Sequence, residues 1–228
     1  MANLILIIGN KNYSSWSLRP WIFMRYFKIP FDEKRIALFT DTMEPDLAMY
    51  GSDTKVPVLQ DGDRIIWDSL AILDYVSEQY LEGKGWPQNI NARALARSIC
   101  AEMHSSFFHL REALPMNCRK RFRNHPVASE AQREINRIKD LWKMCREKYT
   151  RDGRWLFGNF SIADAMYAPI ALRFSGYDIA LNDDDRAYVD TIISHPDVQE
   201  WIDAGKTEPE VIELDEIELA PDVVIEHL

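Results

Sequence analysis

The chain has 228 residues, 46% of them hydrophobic and 28% charged, a mixture that excludes disordered and collagen-like classes. Thirty-six acidic against 27 basic residues give a net charge of −9, the wrong sign for a protein that coats nucleic acid or anionic membrane. No stretch approaches about eighteen consecutive apolar residues, and the start, MANLILIIGNKNYSS, lacks the regions of a signal peptide. The expectation is a soluble cytoplasmic protein whose partners include neither nucleic acid nor membrane.

In chain order, 4–8 reads as a buried strand and 14–28 as a helix whose hydroxyl-rich start offers N-caps. A strand at 31–38 and a loop follow. Strands at 56–59 and 64–67 then flank Gln60-Asp61-Gly62-Asp63, a hairpin signal. A helix over 69–81 carries Ile72, Leu73, Val76 and Tyr80 at helical spacing. Glu82-Gly83-Lys84-Gly85-Trp86-Pro87 breaks the pattern as a linker.

Everything beyond reads as helix. Leu95, Ile99, Met103, Phe107, Leu110 and Leu114 form one face of a single long helix, and Ile135, Ile138, Trp142, Cys145 and Tyr149 one face of another. Ser161-Ile162-Ala163-Asp164 opens a third with a capping-box variant. Shorter helices cover 183–194 and 196–205, and the last twenty residues read as an acidic surface tail. Charge is uneven: 91–155 hold fifteen basic and seven acidic residues, net +8, which leaves −17 elsewhere.

Three motifs could carry chemistry. Asn12-Tyr13-Ser14-Ser15-Trp16-Ser17-Leu18-Arg19 lies where the first strand meets the first helix, so a serine hydroxyl and unpaired amides could favour a thiolate there. Capping alone also explains these serines. Lys55-Val56-Pro57-Val58 puts a proline before a strand; if its bond is cis, the Val56 backbone faces outward toward a peptide-like ligand. Asp68-Ser69 begins a helix with a carboxylate for an ammonium and a hydroxyl and amide for a carboxylate, a grip on an amino-acid terminus or simply a cap. The five histidines and three cysteines match no metal or disulfide spacing, and neither a Gly-x-Ser-x-Gly nor a phosphate loop occurs. No metal is expected.

These motifs in this order resemble the cytosolic glutathione transferases, over nearly the whole chain. The resemblance implies a thioredoxin-like β-α-β-α-β-β-α domain over 1–82, a linker over 83–91 and an all-α domain over 92–228 that supplies most of the second-substrate pocket. It implies glutathione as co-substrate, held by Lys55, by the Val56 backbone before cis Pro57, and by Asp68 and Ser69. Ser14-Ser15-Trp16-Ser17-Leu18-Arg19 is similar to the zeta-class motif, with Trp16 in place of its cysteine, a departure that argues against thiol-exchange and maleylacetoacetate isomerase chemistry. Counted back from Arg19, Ser14 matches zeta and tau patterns and Ser15 matches theta and delta patterns. Either serine is a candidate for activating the thiol that attacks a hydrophobic electrophile, and the resemblance favours Ser14. For the electrophile pocket the candidates are Tyr13 and Trp16 in the catalytic loop, His104, Phe108 and Arg111 along one helical stripe, and Arg173 as an attractor of a substrate carboxylate. The resemblance also implies a homodimer, with Arg64 and Trp67 as contacts. The other readings are a non-catalytic partner-binding protein, through Arg119-Lys120-Arg121-Arg123, and a ligand carrier.

Overall fold

A computed structural model describes residues 4–51, 55–150, 153–217 and 223–227. Its N-terminal half is a four-stranded sheet in the order β2-β1-β3-β4, from β1 (Leu4–Ile8), β2 (Asp32–Arg35), β3 (Val58–Asp61) and β4 (Arg64–Trp67). β1 and β2 run parallel, Ile5 opposite Asp32, while β3 is antiparallel to both β1 and β4. Helices α1 (Ser15–Tyr26), α2 (Met43–Ala48) and α3 (Ser69–Leu81) complete the β-α-β-α-β-β-α order that the resemblance implies.

Both faces of this sheet are covered, which explains the unbroken apolar run Leu4-Ile5-Leu6-Ile7-Ile8. Leu4, Leu6 and Ile8 join the main core with α1 and α3, whereas Ile7 packs with Ile36, Leu47 of α2 and Val58 on the other face. α1 is buried nearly all round because it lies between the sheet and α7 (Ile162–Gly176) of the second half. The chain leaves α3 through Glu82 and Gly83, both at positive φ, and Gly85 then passes so close to Phe23 and Ser77 that a β-carbon there would overlap their side chains.

The second half is helical: α4 (Ile90–Ser105), α5 (Phe108–Ala113), α6 (Ser129–Tyr149), α7, α8 (Asp183–Ile193) and α9 (Pro196–Thr207). The long helix expected through Leu114 is interrupted. Ser105 turns its hydroxyl back to the Ala101 carbonyl, Ser106 is extended and Phe107 is left-handed at φ 64°, so α4 ends and α5 restarts with the Leu110 amide bonded to Glu134. This half also holds a two-stranded antiparallel ladder, β5 (Lys120–Arg123) with β6 (Val224–His227). The buried capping box at α7 is present: Asp164 accepts from the Leu156 and Ser161 amides and from the Ser161 and Tyr188 hydroxyls. Burial raises its carboxyl to about 6.

After α9 the chain crosses back over the sheet domain as a strap. Gly205 lies so close to the backbone of Lys11 and Asn12 that a β-carbon there would sit 3.0 Å from the Asn12 amide nitrogen. The buried Glu208 carboxylate accepts from the Lys11 and Asn12 amides at 2.7 and 3.1 Å, and Glu210 pairs with Arg35 at 2.9 Å. Glu216 takes Tyr13, Asn117 and Lys120. Of the expected acidic tail, 218–222 and 228 lie outside the described residues.

Candidate active site

The loop before α1 is built by side chains that replace regular backbone pairing. Asn10 accepts from Leu38, and Asn12 accepts from Cys118 and Arg119, so the turn is anchored to both halves before the helix begins. Ser14 is the N-cap of α1 and is buried. Its oxygen accepts from the Ser17 amide, and its hydroxyl proton goes to Ser17 Oγ at 2.7 Å, which in turn accepts from Gly9. Ser15, the first helical residue, is half-buried, and its Oγ accepts from Arg173 Nη2 at 3.3 Å. The two adjacent serines therefore have different chemistry: one closes the turn, and the other has its proton left to give.

The second wall comes from the start of α3. The Val56–Pro57 bond is cis, and the β3–β4 register, Val58 opposite Trp67, carries Pro57 to the level of Asp68. Lys55 is exposed on the same segment. Asp68 sits at φ 73° and ψ 132°, outside the left-handed helical region, a backbone conformation strained for any residue with a side chain. Its Oδ1 caps the Leu70 and Ala71 amides while Oδ2 contacts His104 Nε2 at 2.5 Å. Ser69 is fully buried and its hydroxyl accepts from Arg19 Nη1 at 3.3 Å.

The helical half supplies the third wall. His104 lies edge-on to Trp16, ring centroids 5.3 Å apart. The guanidiniums of Arg19 and Arg111 lie over the same indole, 4.1 and 4.8 Å from its centroid. Arg111 also donates to the Met103 carbonyl, and Arg173 to those of Leu114 and Arg111. Arg19 and Arg173 are buried; desolvation, together with the neighbouring guanidiniums, lowers them to about 9 and about 10, so both stay charged at neutral pH. A chain of contacts thus runs from Asp68 through His104 and Trp16 to Arg111, and from Ser69 through Arg19 to Trp16.

Not every expected pocket residue joins this patch. Tyr13 is buried beneath the strap, its phenol given to Glu216 and raised to about 12, first by desolvation. Phe108 is 66% exposed at the start of α5, because the break after α4 carries it off the stripe of His104. Sequence position alone assigns no role to Arg19, Glu208 or Glu216; for the two glutamates the signal is the complementary charge of the acidic tail and the 119–123 cluster. That cluster is largely occupied internally: Arg119 holds the carbonyls of Gly205, Glu208 and Glu210, Lys120 holds Glu216, and Arg123 holds Glu226. A cleft of about 670 Å³ at the far end of α1, lined by Trp21, Arg25, Tyr26, Phe31 and His195 among others, contains none of the site residues. Among the described residues no group of three His, Cys, Asp or Glu could hold a metal, and no helix is long and apolar enough to cross a membrane.

The family model described as "Glutathione S-transferase, N-terminal domain" matches residues 13–79, the span from Tyr13 through α3 that carries both serines, the cis proline and Asp68-Ser69. Over that span the chain is similar to the glutathione S-transferases. It is 26% identical over 174 residues to glutathione S-transferase theta-1 of Gallus gallus, covering 63% of this chain and 65% of the relative. It is 34% identical over 88 residues to glutathione S-transferase theta-3 of Mus musculus, covering 38% and 36%. The matches thus span less than two thirds of these relatives' own lengths. The fold also superposes on a Burkholderia glutathione transferase homologue with bound glutathione, with a TM-score of 0.67, 20% identity, and coverage of 90% of this chain and 100% of that one. The glutathione transferase architecture, a mixed α/β domain followed by a helical one, is thereby established for this chain.

Proposed function

We propose that this transferase binds glutathione along Lys55, the Val56 backbone beside Pro57, Asp68 and Ser69, and uses Ser15 to hold its sulfur as a thiolate that attacks an electrophile. Residues 1–82 form the glutathione-binding part, 92–228 contribute the electrophile side, and 83–91 join them. The observation that carries the reading is the division between the serines. The Ser14 proton is given to Ser17, whereas Ser15 Oγ accepts from Arg173 and keeps its own hydrogen for a sulfur at the helix start. The theta names of the two relatives agree with the Ser15 register.

A hydroxyl donor, the first-turn amides of α1 and a buried guanidinium all stabilise an anion more than a neutral thiol, so the bound thiol loses its proton at lower pH and more nucleophile is present near neutrality. Asp68 Oδ2, set against His104 at 2.5 Å, has a second lone pair to accept from the γ-glutamyl ammonium. Ultraviolet difference titration of glutathione with the protein tests the reading: a thiolate band that appears well below the pH of the free thiol supports it. Saturable binding without thiolate would point to a carrier, and no binding to a protein that works through partners.

The assembly we infer is a homodimer that uses the exposed β4 residues Arg64 and Trp67, the latter 66% exposed. Light scattering at micromolar concentration tests it, and a monomer contradicts it.

A further inference from the structure

We propose that the electrophile this site is built for carries an anionic group, a carboxylate or equivalent oxyanion, held on the Trp16 ring by Arg111 with Arg173 behind it. The proposal rests on the transferase reading above and narrows its second substrate from an apolar to an acidic electrophile.

Three guanidiniums converge here without a counter-charge in contact: among the described residues, none of Arg19, Arg111 and Arg173 makes a salt bridge. Their hydrogen bonds go to neutral acceptors, namely the Ser15 and Ser69 hydroxyls and the carbonyls of Met103, Arg111 and Leu114. Neutral acceptors satisfy geometry but do not offset a buried charge. Arg19 is 2% exposed and its Nε has no acceptor at all. The acids that feel the cluster, Asp68, Asp215 and Glu134, act on it through space, while Asp68 is already engaged by His104 and two α3 amides.

The cluster exceeds what a thiolate needs. Ser15 and Arg173 already flank the start of α1. Arg111 contacts neither serine among its hydrogen bonds; it lies over the Trp16 indole and, unlike Arg19 and Arg173, is only half-buried, so of the three guanidiniums it is the one open to a second substrate. An aromatic floor with a guanidinium above it suits a planar group bearing a carboxylate, and Arg donors match that carboxylate in two-point geometry.

The test uses 4-chloro-3-nitrobenzoate and 4-chloro-3-nitrobenzamide, which share the reacting carbon. In each, the glutathione sulfur forms a C–S bond as the C–Cl bond breaks, chloride leaves and the thiol proton goes to solvent. Each kcat/KM is divided by the rate with free glutathione at the same pH, which removes the intrinsic difference between the two rings. The expected preference for the benzoate is about tenfold or more, the scale of a charge-assisted pair. It should shrink by at least about fivefold in Arg111→Gln and survive in part in Arg111→Lys. Calorimetry of 3-nitrobenzoate against 3-nitrobenzamide with S-methylglutathione present reads the same discrimination without chemistry.

Equal normalised rates for the two electrophiles, or a preference untouched in a folded Arg111→Gln, overturn the proposal while leaving the transferase standing. If neither compound is turned over, the thiolate titration decides the transferase reading. In that case calorimetry decides the anion site: tighter benzoate binding lost in Arg111→Gln sustains it, and indifference removes it.

Discussion

The sharpest prediction separates two neighbouring hydroxyls. In Ser15→Ala the thiolate loses a charge-assisted hydrogen bond worth about 1.5–3 kcal/mol. At 1.36 kcal/mol per pKa unit, the bound thiol should titrate about one to two units higher, and kcat/KM near neutral pH should fall roughly 10- to 100-fold. Fold stability should hardly change, because Ser15 is half-buried and its partner Arg173 has other acceptors at Leu114 and Arg111. Ser14→Ala should do the opposite. It removes the N-cap acceptor of the Ser17 amide and the contact with Ser17 Oγ in a buried turn, at about 0.5–2 kcal/mol, or about 1–8 °C in melting temperature for a chain of this size. Thiolate titration and thermal melting on both variants make the comparison. If Ser14→Ala abolishes the thiolate while Ser15→Ala retains it, the division of roles argued from their partners is wrong.

Three further outcomes follow from the frame around the site. Asp164→Ala strips acceptors from the Leu156 and Ser161 amides and the Ser161 and Tyr188 hydroxyls; at roughly 1–3 kcal/mol each this rivals a whole domain's stability, and a soluble variant with wild-type melting would contradict it. Asp164 also gives a pH signature. Its carboxyl is raised to about 6, so the folded state holds this proton more tightly than the unfolded chain, and the group's contribution is fully present below about pH 4 and lost as pH rises through about 6. Urea unfolding should show a decline of about 3 kcal/mol over that window that is missing from Asp164→Asn, and matching slopes in the two proteins would count against the assignment. Finally, Glu208→Ala deprives the Lys11 and Asn12 amides of their acceptor, so hydrogen exchange at both should accelerate at least tenfold, and unchanged protection would show that the strap is held by Arg119 and Glu216 alone.

Local signals carried most of this fold into the sequence. The helix over 69–81 was readable to its ends because Asp68 caps it and Glu82-Gly83 stops it. The run at 4–8 was readable because a strand buried on both faces must be continuously apolar. What failed to show was decided at long range. The apolar period from Leu95 to Leu114 continues through the break at 105–107, since Ile99 and Met103 before it and Leu110 and Leu114 after it are all buried. The basic stretch 120–123 becomes a strand only because 224–227, a hundred residues away, pairs with it.

The same distinction governs the site. Helix starts, a proline before a strand and an Asp-Ser pair are local, and the structure brings Ser15, Pro57, Asp68 and Ser69 to one end of the sheet domain. Which serine keeps its proton is not local: it depends on Ser17 for Ser14 and on Arg173, 158 residues distant, for Ser15. The charge imbalance between 91–155 and the remainder of the chain resolves in the same way. The acidic strap pairs its carboxylates with Arg35 and Lys120 and gives its carbonyls to Arg119, while Arg111 and Arg173 stay turned inward against carbonyls and an indole. A protein able to pair its surface cations with its own tail leaves these two without a carboxylate in contact. That contrast is why the inward pair reads as a place for charge brought by a substrate.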